Sequence, residues 1–273
     1  MDSHHSTPRG RIIVVASGKG GVGKSLLSLA LADLFELNTL PLDIYQLDDQ
    51  QRLEKAIGRS VVTLDVHTLK RARREPTVIT SVFDPFYRGV EKLPTSNRTL
   101  LLDVGATQTG NLIDYADLID LDEDLIEFGI SGTVFIPAVA EPESLRQAVR
   151  TIELFSRTLP SLRLVFVENL RDGRMSELST ASQAGEIYIK QLLPLLNDIP
   201  YLTMPCIEAG SWRTFEQNHC RILDVGTMSL QDTIAMTGLS RPEAKLARGD
   251  VLAFFDLMER ELSAILPFGG GDV

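Results

Sequence analysis

Residues 18–25 read Gly18-Lys19-Gly20-Gly21-Val22-Gly23-Lys24-Ser25 and directly follow the apolar run Ile12-Ile13-Val14-Val15. The spacing G-x-x-x-x-G-K-[ST], set between a buried strand and a helix, is the pattern by which backbone N–H groups surround phosphate oxygens. The glycines allow the chain to turn those N–H groups inward. Lys24 adds a point charge at the β- and γ-phosphates, and the Ser25 hydroxyl suits a Mg²⁺ ligand. The helix that begins at the loop's end points its positive terminus at the same oxygens. This order of strand, loop and helix implies a nucleoside triphosphate site.

Three further polar residues close strand-like runs. Asp48 follows Thr39–Leu47, Asp103 ends Thr99-Leu100-Leu101-Leu102, and Asn169 ends Leu162–Glu168. At the carboxyl ends of parallel strands such residues face the crevice where ligands bind in open α/β sheets. An amide can both donate to and accept from a base edge, which suits Asn169 to discrimination between purines. Taken singly, each of the three is equally a turn residue, and Lys19 is equally a solvated loop cation.

The elements needed to position these groups alternate along the chain. Strands are expected near 11–17, 39–47, 77–83, 99–104, 132–138, 162–168 and 200–205, and helices near 24–36, 49–57, 142–157, 174–197 and 248–265. This βαβ rhythm predicts an α/β fold: a three-layer α/β/α sandwich around a mostly parallel, twisted sheet, in the manner of a P-loop NTPase. Residues 1–10 are expected to be a disordered tail, 11–266 a single ATPase domain and 267–273 a flexible end. Residues 60–98 show the least regular pattern and carry the basic cluster Lys70-Arg71-Ala72-Arg73-Arg74.

Lys19 narrows the reading. Lys-Gly-Gly-Val-Gly-Lys-Ser resembles the deviant phosphate loop of the ParA/MinD-type ATPases, and the resemblance extends over most of residues 11–210. It implies ATP and Mg²⁺ as cofactors, bound along Gly18, Lys19, Gly20, Gly21, Val22, Gly23, Lys24, Ser25 and Leu26. In the family the extra lysine, here Lys19, reaches a partner's nucleotide, so the resemblance implies a homodimer with ATP between the subunits. The family's Asp-x-Asp-Pro-Gln appears as Gln46-Leu47-Asp48-Asp49-Gln50, so Asp48 matches the aspartate that positions the attacking water, while Gln46 and Asp49 depart from the pattern. The catalytic set implied is Lys19, Lys24 and Asp48. Asp103 and Gly105 resemble the Walker B and switch II segment, which implies Ser25, Asp48 and Asp103 around the metal. Asn169 matches the adenine-reading position, and Met204-Pro205-Cys206-Ile207-Glu208-Ala209 resembles the loop that flanks the base, with Pro205 as its contact.

The function implied is an ATPase that hydrolyses ATP to ADP and phosphate while positioning or partitioning a cargo such as DNA or a protein complex. A metabolic P-loop ligase or phosphotransferase with a small-molecule acceptor shares the same loop and stands as the alternative. A non-hydrolysing scaffold whose ATP only controls assembly is the third reading. Turnover stimulated by protein or DNA, rather than by a metabolite, separates the first from the others.

Composition sets the remaining bounds. The 273 residues are 44% hydrophobic, enough for a substantial core, and no apolar stretch approaches the ~18 residues of a membrane span. The polar start Met-Asp-Ser-His-His-Ser-Thr-Pro-Arg-Gly lacks the apolar segment of a signal peptide, so a cytoplasmic location is expected, and His4 and His5 read as solvated. Cys206 and Cys220 are too few and too widely spaced for a metal site, and no Cys lies between Asp103 and Asn111, which disfavours a cluster-bearing iron protein. A net charge of −10 opposes nonspecific DNA binding, although Lys70–Arg74 or Arg241, Lys245 and Arg248 form local patches that could act. The acidic run Asp114–Glu127 reads as a solvated helix beside switch II. The last helix has one basic residue between Val251 and Val273 and reads as core-packing, with no membrane role.

Overall fold

A computed structural model of the chain describes residues 10–48, 52–71 and 75–268. The strands are β1 (Arg11–Val15), β2 (Leu42–Leu47), β3 (Val62–Thr63), β4 (Thr99–Val104), β5 (Ser131–Ala138), β6 (Arg163–Asn169) and β7 (Tyr201–Met204). They form one seven-stranded sheet in the order β3-β2-β4-β1-β5-β6-β7, and every pairing is parallel. Chain order around the sheet reverses at β1, which places the loop after β1 at a topological switch point. The helices are α1 (Lys24–Leu37), α2 (Arg52–Ile57), α3 (Val66–Arg71), α4 (Pro76–Lys92), α5 (Thr109–Leu118) and α6 (Leu121–Glu127). They continue with α7 (Pro142–Thr158), α8 (Gln183–Ile187), α9 (Ala209–Gln217), α10 (Ile222–Thr227), α11 (Leu230–Thr237) and α12 (Arg241–Ser263).

Side chains of a strand alternate between faces, so a sheet buried on both sides makes two cores. Ile12, Val14, Leu100, Leu102, Val134 and Ile136 pack with α3–α8, while Ile13, Val15, Leu101, Phe135, Val165 and Val167 pack with α1, α2, α9, α10 and α12. These are the three layers expected. α12 contributes Ala247, Val251, Phe254, Phe255, Met258 and Leu262 to the second core and is a packing helix; it begins at Arg241, earlier than the expected 248, behind a Ser240/Glu243 capping box. No helix among the described residues is long and apolar enough to cross a membrane.

Three expectations are corrected. The segment 77–83 is not a strand but the first half of α4, so residues 60–98 contain a 17-residue helix. Its β-branched residues favour a strand locally, yet Pro76 sets the first helical turn, and Val82, Phe83, Phe86 and Val90 share a helical stripe buried in the core. Phe83 stacks on Tyr115 at 4.1 Å, and Phe86 meets Tyr45 edge-on at 5.5 Å. That packing outweighs the propensity. The seventh strand is instead the two-residue β3 at the sheet's edge, too short to leave a periodic signal. The continuous helix expected over 174–197 is broken into 3-10, α, π and 3-10 pieces. Ser182 caps α8 by accepting from Gly185 N at 3.0 Å, and Pro194 starts the last 3-10 turn, where it has no N–H to continue a ladder.

Candidate functional site

Between β1 and α1 the loop 18–23 turns through two glycines with positive φ, +76° at Gly21 and +95° at Gly23, the latter forming the N-cap of α1. A Cβ on Gly23 would lie 2.4 Å from Met204 Cε and 2.6 Å from Asn169 Nδ2. Both the backbone angle and the space therefore demand glycine there. Lys24 is buried, and its ammonium donates to Lys19 O at 2.9 Å, so the lysine lies across the inside of its own loop. The loop is thus a closed backbone cradle with a cation at its mouth, a site for an anion of several oxygens.

Register brings the carboxylates to the same end. Val15 pairs with Asp103, and Asp103 pairs with Gln46, so the loop leaves the sheet at the level where Asp103 faces α1. Asp103 is buried and accepts from Ser28 Oγ at 2.9 Å. Burial pushes its carboxyl up to about 6 and Asp48 adds to the rise, while Ser28, Lys24 and Ser25 oppose it. Burial also lowers Lys24, against the pull of Asp103 and then Asp48. Gln46 is buried beside Asp103 on the same face of the sheet, so its amide spares Asp103 a second neighbouring carboxylate in the dry interior. Asp48, half-buried just past β2, sits against Gly105, whose N–H donates to Leu47 O at 2.8 Å. Ser25, Lys24, Asp48 and Asp103 are thereby gathered on one side of the loop. Asp49 and Gln50 lie outside the described residues.

On the other side, Asn169 ends β6 with its amide turned to the loop. Its Nδ2 donates to Val22 O at 3.0 Å, and its Oδ1 accepts from Arg171 N at 3.0 Å. One N–H and one lone pair of that amide remain for a ligand edge. Pro205 is half-exposed just beyond β7, Cys206 beside it is exposed, and Leu26 is half-buried in the first turn of α1. Lys19 does not turn into the cradle: its ammonium pairs with Glu141, ahead of α7, at 3.3 Å. The sequence reasoning missed Glu141, Ser28 and Arg171, whose guanidinium donates to Gly21 O. Ser28 carries a helical-spacing signal, four residues after Lys24 on α1. Glu141 and Arg171 come from distant loops and carry none.

Among the described residues no three His, Cys, Asp or Glu side chains come together as a metal site. A hydroxyl, a buried carboxylate and a phosphate cradle side by side instead fit a hard cation that shares its shell with phosphate and water.

The chain matches the family model described as the CobQ/CobB/MinD/ParA nucleotide-binding domain over residues 13–203. No curated protein sequence matches it. Among solved structures it resembles apo McdA of Cyanthece at 12% identity and a TM-score of 0.53, over 93% of this chain and 99% of that one. It also resembles the septum site-determining protein MinD in complex with Mg-ADP from Pyrococcus horikoshii, at 14% identity and a TM-score of 0.51, over 96% and 100% of the two chains. At these identities the structural likeness speaks for the fold, while the family match covers well over half of the chain. With the phosphate loop at the switch point of an all-parallel sheet, the chain belongs to the CobQ/CobB/MinD/ParA family of P-loop nucleotide-binding proteins.

Proposed function

We propose that the chain is a ParA/MinD-type ATPase that dimerises on ATP, positions or partitions a cargo in the cytoplasm, and resets by hydrolysis. The observation that carries this reading is the pair of lysines in one loop with opposite outlooks. Lys24 crosses the cradle, whereas Lys19 turns outward to Glu141. A second cation that does not serve its own phosphates is suited to serve those of a neighbour.

The residues that would hold Mg·ATP are the loop Gly18–Leu26 for the phosphates, Ser25, Asp48 and Asp103 around the metal, and Asn169 with Pro205 at the base. Bound Mg·ATP supplies the phosphoanhydride to be hydrolysed and a divalent charge over it. Lys24 neutralises phosphate charge in a partly dry site, where such a contact is strong. Asp48 lies nearer solvent than Asp103 and is the carboxylate that would orient a water. Asp103, buried and bonded to Ser28, would stand on the metal side of the site beside Ser25. The cargo is a protein complex or DNA.

The test compares three variants with wild type using a slowly hydrolysed ATP analogue, sedimentation and phosphate release. Lys24→Ala is expected to lose both nucleotide binding and dimer formation. Asp48→Ala retains the nucleotide, loses about 10²-fold in turnover and accumulates as a dimer. Lys19→Ala binds nucleotide as a monomer and fails to dimerise. A Lys19→Ala protein that dimerises and turns over ATP as wild type does would leave an ordinary P-loop enzyme, and a metabolite acceptor would become the better reading.

A further inference from the structure

A loop that turns its N–H groups inward to a phosphate turns its carbonyls outward, and each of those needs a donor. Val22 O accepts from Asn169 Nδ2 at 3.0 Å and Gly23 O from Leu27 N at 2.9 Å, while Lys19 O is met from within the loop by Lys24 Nζ at 2.9 Å. Gly21 O accepts from Arg171 Nη1. Of these four donors, Arg171 is the charged side chain that lies outside the phosphate-loop motif and outside the expected site. The same close approach would leave a Cβ on Gly21 3.5 Å from Nη1.

The guanidinium is partly exposed but oriented by its neighbours. Its Nε and Nη2 donate to Asp172 Oδ1 at 3.1 Å and Oδ2 at 2.6 Å, a two-pronged contact that aims Nη1 at the loop. The backbone N–H of Arg171 is bound to Asn169 Oδ1 at 3.0 Å. Farther along, Glu168, buried in β6, accepts from Met175 N at 2.6 Å and anchors the end of the same turn. Asn169 and Arg171 therefore grip consecutive carbonyls of the phosphate loop from one rigid turn.

We propose that Arg171 is a positioning residue for the phosphate loop: by holding the Gly21 carbonyl outward it keeps the adjoining amides turned in toward the β- and γ-phosphates. This rests on the reading of the loop as a nucleotide site. Arg171 acts through backbone, so its effect falls on the polyphosphate and not on the base. Asp172 acts one step further back, by aiming the guanidinium.

The experiment measures the affinity of Mg²⁺-bound fluorescent ATP and GTP analogues for wild type, Arg171→Met, Arg171→Lys and Asp172→Asn, beside the melting temperature of each protein without nucleotide. Arg171→Met is expected to weaken both analogues by about tenfold and by the same factor, as for loss of a partly exposed charge-assisted hydrogen bond. Arg171→Lys recovers part of the loss, Asp172→Asn loses a smaller factor, and the nucleotide-free melting temperatures stay with wild type. Unchanged affinity in Arg171→Met, a loss confined to the ATP analogue, or an equal fall in nucleotide-free stability would each overturn the proposal. Wild type that binds neither analogue would instead remove the nucleotide-site reading itself.

Discussion

Asp103 is a buried residue whose charge is costly to maintain. Burial raises its carboxyl to about 6, against Ser28 and Lys24, whereas an exposed aspartate titrates near 3.8. A carboxyl raised by folding binds more protons in the native state between those values. The stability it contributes is complete below about pH 4 and is lost as pH rises through about 6. Asp103→Asn removes that dependence. Without nucleotide and with metal chelated, the variant is expected to be more stable than wild type at pH 7.5 by ~1–3 kcal/mol, with the difference vanishing near pH 4. Urea denaturation at several pH values checks this. A difference that does not change with pH would mean that the Asp103 carboxyl titrates normally.

At the scale of elements, α1 carries Lys24 and Ser25 at one end and is strapped at the other. Asp33 is fully buried on α1 and accepts from Arg221 Nε at 2.9 Å, Arg221 Nη2 at 2.5 Å and Leu223 N at 3.1 Å. Arg221 also bonds Glu36 Oε1 at 3.1 Å, and Arg59, past α2, pairs with the same Glu36. The network ties α10 and the segment after α2 to the helix that presents the phosphate loop. Removing one member of a buried pair strands the other charge, which costs more than the pair contributes. Arg221→Met is therefore expected to lose ~3 kcal/mol of folding stability, and adding Asp33→Leu should restore most of it. Chemical denaturation of the single and double variants decides. A double variant no better than Arg221→Met alone would show that shape, not the stranded carboxylate, sets the cost.

For the whole molecule, a net charge of −10 confines any DNA contact to local patches. Of the first patch, residues 72–74 lie outside the described residues. In the second, Arg241 and Lys245 are exposed on α12, whereas Arg248 is half-buried with Nη2 at 3.5 Å from Gly226 O. The acidic stretch is partly spent on the fold: Asp124 accepts from Tyr87 at 2.7 Å, and Asp122 accepts from Ser161 N at 3.0 Å. ATP-loaded protein is expected to shift duplex DNA only at low salt, with affinity falling at least about tenfold between 50 and 200 mM. Arg241→Glu with Lys245→Glu should weaken every sequence alike. No shift even at 50 mM would leave a protein cargo as the partner class.

The local order of β1, loop and α1 was written entirely in residues 11–37, because the strand, the glycines and the helix are contiguous and each is dictated by its own side chains. The alternation of strands and helices, and with it the layered parallel sheet, was legible for the same reason. So were Asp103 and Asn169 as strand ends. What lay beyond the sequence was every decision made between distant segments. Residues 77–83 have the composition of a strand, and the burial of the stripe Val82, Phe83, Phe86 and Val90, with Phe83 on Tyr115 and Phe86 on Tyr45, is what favours the helix. Lys19 gives no hint of Glu141, more than a hundred residues away, nor Gly21 of Arg171. Those partners meet because parallel strands align Val15 with Phe135, and Ala138 with Glu168, at the carboxyl end of the sheet. Phosphate chemistry is local because backbone amides of one loop perform it; the choice of what braces that loop belongs to the sheet.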